Sequence, residues 1–172
     1  MDFEMPIEQT AQRLDTRFQL GFANQARTLL RESDEFVLRP AHVGLRVLAR
    51  NEEALEAPVE TLRDLYGEKL RLLPPRVRLM EGVQVREPIM HVRITVPERF
   101  RMAIKDAMRA RRIGLEEEYL RTSWCVLRYE GPLARLLGLS AELAMRSGST
   151  AQARVALSHY ALVIGDPGGA AA

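Results

Sequence analysis

The chain is short of several things, and each shortage closes off a class of function. It has one cysteine, Cys125, in 172 residues, so no internal disulfide can form and a reducing cytoplasmic setting is expected. A lone thiol within an apolar run reads as a small buried strand residue. The three histidines, His42, His91 and His159, have no metal-ligand spacing with Cys125 or with one another, so neither a metal nor a cofactor is expected. No apolar run approaches the ~20 residues a membrane span needs, and the acidic opening Met1–Pro6 lacks the apolar core of a secretory signal. No Gly-x4-Gly-Lys-Ser/Thr segment occurs, which leaves no Gly-rich loop to cradle a nucleotide phosphate. Charge of one sign is also scarce. There are 13 basic and 14 acidic side chains before Glu87, and 12 basic and 9 acidic from it onward. That balance is too small to argue for nucleic-acid binding by itself, and no DNA partner is expected.

What is present is apolar periodicity, and the clearest stretch is Glu87–Pro97. Met90, Val92, Ile94 and Val96 alternate with Ile89, His91, Arg93 and Thr95, the period of a strand with one buried face. Pro88 and Pro97 bracket it. A helix is predicted over Glu98–Arg111, ended by Gly114, with Phe100, Ala103/Ile104 and Ala107/Met108 inward. Strands Glu116–Leu120 and Ser123–Tyr129 follow, then a turn at Gly131-Pro132. A helix over Leu133–Met145 with Gly138 inside it leads to a last strand, Arg154–Val163.

The first half reads the same way. A strand over 2–9 is followed by a helix over Arg13–Ser33, whose stripe takes in Leu14, Phe18, Phe22, Ala26 and Leu29/Leu30. Strands Glu35–Arg39, ended by Pro40, and Val43–Ala49 come next. A helix over Glu52–Leu65 follows, with Asn51 as N-cap and Gly67 as C-cap. Pro58 delays its start to about Ala57 or kinks it. Lys69–Met80 is extended and broken at Pro74-Pro75. Both halves are therefore βαββαβ. The fold class is α+β, with two ferredoxin-like domains over 1–82 and 87–164, antiparallel sheets with helices on one face, and a Gly/Pro/Ala-rich disordered tail over 165–172.

A set of residues in the second half carries a family resemblance: Glu87-Pro88-Ile89-Met90, Pro97-Glu98-Arg99-Phe100, Arg111-Arg112 with Gly114, Pro132-Leu133-Ala134 with Gly138, and Ser158-His159-Tyr160. In order and spacing, this half resembles the C-terminal domain of elongation factor G and related translational GTPases. The likeness of the first half to the small domain after that family's barrel is thinner, resting on Asp34-Glu35-Phe36-Val37, Leu55–Leu62 and Pro75-Arg76-Val77. Neither the GTPase nor the tRNA-mimicking domain has a counterpart here, and residues 81–86 join the halves. The resemblance implies a non-enzymatic, bacterial-type module that docks on the ribosome or a translation factor, with rRNA contact. Pro88, Met90, Gly114, Pro132, Gly138, Ser158, His159 and Tyr160 would be structural motif positions. The family's Gly-Arg pair before the last strand is Ser149-Thr150 here, so one cation expected from the resemblance is missing.

The candidate contact residues are Arg101, Lys105, Arg109, Arg111 and Arg112 on the Glu98–Arg112 helix. Arg101, Lys105, Arg109 and Arg112 recur on one side as a cationic strip opposite the apolar stripe, able to meet phosphates, or else a solvated helix face. Ser158 and His159 alternate across a strand, which excludes a local Ser–His pair. Glu116-Glu117-Glu118 reads as a solvated charge run. Trp124 and Tyr129 offer a stacking surface of the RNA-binding kind, with packing in the core or at an edge the favoured reading. Two other functions stay open: a protein-interaction or homo-oligomerisation module using exposed sheet faces, and a small-molecule sensor with ligand at the domain junction.

Overall fold

In the computed structural model, which describes residues 2–163, two antiparallel sheets follow each other along the chain. The elements are β1 (Ile7–Arg13), α1 (Gln19–Leu29), β2 (Phe36–Ala41), β3 (Gly44–Ala49), α2 (Glu56–Tyr66), β4 (Leu70–Leu72), β5 (Arg76–Val77), β6 (Arg86–Pro97), α3 (Arg101–Ala110), β7 (Leu115–Arg121), β8 (Trp124–Pro132), α4 (Leu139–Ser147) and β9 (Gln152–Leu162). The first sheet has the order β2-β3-β1-β4, with β5 also on β1, and the second β7-β8-β6-β9. In each, the first strand lies between the third and the fourth, which is the split βαβ plan. The fold is thus α+β with two ferredoxin-like units. The tail expected over 165–172 lies outside the described residues.

The cores follow the alternation. Met90, Val92, Ile94 and Val96 of β6 join Cys125, Leu127 and Tyr129 of β8 under Ile104 and Met108 of α3 and Leu139 and Leu143 of α4. Cys125 is buried there, and burial raises its thiol pKa. In the first unit Ile7, Ala11, Leu38, Leu45 and Val47 pack under Phe22, Ala23 and Ala26 of α1 and Leu62 of α2.

Several boundaries differ from the sequence reading. The strand expected over 2–9 is β1 at Ile7–Arg13, preceded by a 3-10 turn at Asp2–Glu4. The helix expected from Arg13 begins at Gln19, because the Gln19 side chain closes a turn: Oε1 accepts from Arg13 N–H, and Nε2 donates to the carbonyls of Arg13 and Thr16. Leu14 and Phe18 are consequently 61% and 70% exposed instead of lining the helix. Pro40 lies within β2, which a sheet edge tolerates. Pro58 falls in the first turn of α2, where its missing N–H has no helical partner to lose. Asn51, expected as the N-cap, lies before the 3-10 turn that precedes α2, where its Oδ1 accepts from the Ala54 N–H at 2.9 Å, and the N-cap of α2 is Leu55.

In the second unit, Gly131 and Pro132 end β8 opposite Met90 and Ile89 and make no turn. The helix expected from Leu133 is divided into a 3-10 turn at Leu133–Arg135 and α4. Gly138 stands outside α4 as its N-cap, at φ 74°. The left-handed residue after α3 is Arg112, at φ 57°, and not Gly114.

Met80 and Arg86 exchange two backbone hydrogen bonds, at 2.9 and 3.0 Å, and close the joining loop. The two units also touch directly. Asn51 Nδ2 donates to the Val155 carbonyl at 3.0 Å, and Tyr160 OH to the Phe3 carbonyl at 3.0 Å. Among the described residues no helix is long and apolar enough to cross a membrane.

Candidate functional site

Helix α3 presents its cations in two groups. The apolar stripe of Ile104, Ala107 and Met108 faces the sheet, which turns Arg101 and Lys105 toward β7. There Glu118 receives both, from Arg101 Nη1 at 3.0 Å and Lys105 Nζ at 2.9 Å. The Lys105 hydrogen bond foremost, then that of Arg101, holds the Glu118 carboxyl below its ordinary range against the opposing effect of burial. These two cations are therefore engaged within the chain. Glu118 is not a merely solvated charge, and neither is Glu117, which takes Arg128 at 3.1 Å.

The C-terminal end of α3 is different. Arg109 is 74% exposed and, among the described residues, pairs only along its own helix, with Asp106 at 2.9 Å, a surface pair worth little. Arg112 is exposed and has no ion pair among the described residues. Arg111 leans across to α4, reaching Glu142 at 2.8 Å and the carbonyls of Arg135 and Leu137. Arg146 holds the other oxygen of Glu142 at 2.9 Å, and Arg135 Nη1 donates to the Arg112 carbonyl at 3.0 Å. So the strip read from the sequence divides among carboxylates: Glu118 holds Arg101 and Lys105, Glu142 holds Arg111 together with Arg146 of α4, and Arg109 and Arg112 are the members that face solvent, with Arg135 on the Arg112 carbonyl. The two added arginines have their own sequence signal: the βαββαβ plan sets both helices on the same sheet face, so cations of one can join those of the other.

Among the motif positions, Met90 is in the core, Pro88 lies in β6 opposite Tyr160, and Gly114 sits in the α3–β7 turn. Ser158 and His159 correct the sequence reading. The β6–β9 pairing shifts register between Ile89 and Met90 and leaves Ser158 without a partner. Such a bulge breaks the alternation of faces, and Ser158 Oγ comes 2.9 Å from His159 Nδ1. The local pair excluded by simple alternation therefore exists. Its chemistry is not that of a nucleophile, because Ser158 Oγ–H donates to Glu130 Oε1 at 2.7 Å and its proton is directed away from the imidazole. His91, opposite Glu130, and His159 both approach that carboxylate, at 3.6 and 3.7 Å. Tyr129 and Trp124 lie on opposite sheet faces. Tyr129 is buried, its hydroxyl without a partner among the described residues, and burial pushes its pKa up to about 12; Trp124 is 43% exposed.

At the junction of the units lies an open cleft of about 420 Å³ bordered by Glu52, Glu53, Glu56 and Glu60. Its acidity gives no cradle for an anionic ligand.

These features define a class: a pair of ferredoxin-like units that presents a basic helical end and an open sheet. The elongation factor G C-terminus family matches residues 84–169, and the chain belongs to that family. Its second half is accordingly a translation-factor-related module. Among solved structures, a crystal structure from Thermus thermophilus is similar, with a TM-score of 0.66 and 14% identity over 93% of this chain and 41% of that one. At that identity the likeness concerns the fold alone, and the chain spans about two fifths of the length of that solved protein. No curated protein matches the chain.

Proposed function

We propose that this is a non-enzymatic cytoplasmic protein that docks on the ribosome through the basic end of α3 and α4, with rRNA phosphates as the contacted groups. Its units, over 1–82 and 87–164, would stand for the small domain after the barrel and the final domain of elongation factor G. The observation that carries the reading is Arg112. It holds left-handed backbone, φ 57°, where glycine is easier by roughly 1 kcal/mol, and it is an exposed residue whose carbonyl accepts from the Arg135 guanidinium. Backbone strain of this kind is kept where a side chain is wanted. Arginine forks suit phosphate oxygens, which they can meet with two parallel hydrogen bonds.

The test is charge reversal. The Arg109→Glu/Arg112→Glu double variant is expected to lose co-sedimentation with ribosomes while keeping its thermal transition. Undiminished co-sedimentation would remove this surface from the account. Arg101→Gln and Lys105→Gln, whose parent residues are held by Glu118, are expected to change association by less than about threefold.

A further inference from the structure

The helix-free face of the second sheet carries a row of three arginines, of which only one has an ion pair among the described residues. Arg128 of β8 stands directly opposite Arg93 of β6, and Arg93 directly opposite Arg154 of β9. All three are exposed, on adjacent strands about 4.8 Å apart. Like charges directly opposite destabilise a sheet, so the row works against folding unless something else offsets it. Glu117 closes the row on β7 and pairs with Arg128. Neither Arg93 nor Arg154 has an ion pair among the described residues. Glu130, two positions further along β8, is engaged by Ser158 and approached by His91 and His159.

The first sheet serves as an internal comparison. There Arg39 and Arg46 also stand directly opposite each other. Asp2 and Glu32 reach Arg39, and Glu8 reaches Arg46. There each opposed arginine has a carboxylate of the chain beside it. On the second sheet, among the described residues, one of the three has.

The same face holds aromatic surface. Trp124 and Tyr119 are 43% and 46% exposed, and the Arg128 guanidinium lies 5.6 Å from the Tyr119 ring centroid. Cations aligned across the strands, with Tyr119 beside Arg128 and Trp124 four positions along β8 on the same face, suit a strand of phosphates whose bases are free to stack. A duplex hides its base faces and could not use the aromatic part.

We propose that this sheet face binds single-stranded RNA, its phosphates along Arg128, Arg93 and Arg154 and a base stacked on Trp124. The choice of RNA over DNA rests on the translation-related reading above. The surface is separate from the basic end of α3, so the two contacts fail independently.

The test is fluorescence anisotropy of a labelled oligouridine with the full chain across a salt series. Affinity is expected to fall steadily with salt. Arg93→Gln/Arg154→Gln should weaken binding roughly tenfold or more and flatten the log–log salt slope by roughly 1.4, about 0.7 for each phosphate no longer neutralised. Trp124→Ala should weaken it about tenfold. Relief of like-charge opposition should raise the thermal midpoint of Arg93→Gln/Arg154→Gln, a readout that excludes misfolding as the cause of weaker binding. Absence of salt-dependent binding, or binding equal in the native and double-variant proteins, overturns the proposal. Equal affinity for oligothymidine overturns the choice of RNA. Oligouridine binding by Arg109→Glu/Arg112→Glu with ribosome association abolished contradicts only a shared surface and leaves this one standing.

Discussion

The Glu52 carboxylate accepts the backbone N–H of Gly138, at 2.9 Å through Oε2 and 3.2 Å through Oε1, and so joins the first ferredoxin-like unit to the helix entry of the second. Gly138 is the N-cap of α4, where unpaired N–H groups and the positive end of the helix dipole favour an anion. One unit thus supplies the capping group that the other's sequence lacks at that point. Asn51, one residue earlier, adds its bond to the Val155 carbonyl.

Removing this link is expected to lower stability without unfolding either core. Glu52→Ala should cost about 0.5–1 kcal/mol, the contact being partly exposed. Gly138→Ala should cost about 1 kcal/mol, since φ 74° strains any side chain. Urea unfolding checks both. An unchanged midpoint for Glu52→Ala would show that the link carries no stability, and an unchanged one for Gly138→Ala, which keeps the N–H, would contradict the strain at that φ.

Arg112 offers a case where stability and association move in opposite directions. Arg112→Gly relieves a left-handed backbone and should raise stability by about 0.5–1 kcal/mol. Because it also removes an exposed guanidinium from the basic end of α3, ribosome association should weaken. Chemical denaturation and co-sedimentation of the same preparation read the two effects. A variant less stable than the parent would contradict the strain assignment.

Tyr129 sets an alkaline limit. Its hydroxyl is buried without a partner among the described residues, and burial pushes its pKa up from 10.0 to about 12. The folded state therefore keeps this proton to higher pH than the unfolded chain does. Stability from this group is complete below pH 10 and is lost as pH rises from there toward 12, by up to about 3 kcal/mol at about 1.36 per unit. Tyr129→Phe should abolish that loss and, by removing an unsatisfied buried hydroxyl, raise stability at neutral pH by about 1 kcal/mol. Thermal melts of both proteins from pH 8 to about 11.5 check the sign.

The strand faces were legible because alternation is a local signal: Met90, Val92, Ile94 and Val96 could point nowhere but into a core. Element ends were less so. The helix expected from Arg13 was shortened by the Gln19 side chain, whose three backbone bonds no periodicity reveals. The Ser158–His159 contact escaped because one unpaired residue in β9 reverses the faces, and register is a property of two strands. The cationic strip was half legible. Helical spacing shows which cations share a side, but the pairing of Arg101 and Lys105 with Glu118 depends on β7 lying beside α3. The opposed Arg93, Arg128 and Arg154 are distant in sequence and meet only through the strand order β8-β6-β9.

The most direct measurement is co-sedimentation of the purified chain with ribosomes across a salt series. Association at low salt that weakens steadily as salt rises is the expected result, as contacts to phosphate require, and Arg109→Glu/Arg112→Glu is expected to lose it. No association at low salt, or association indifferent to salt, would contradict docking through the basic end of α3.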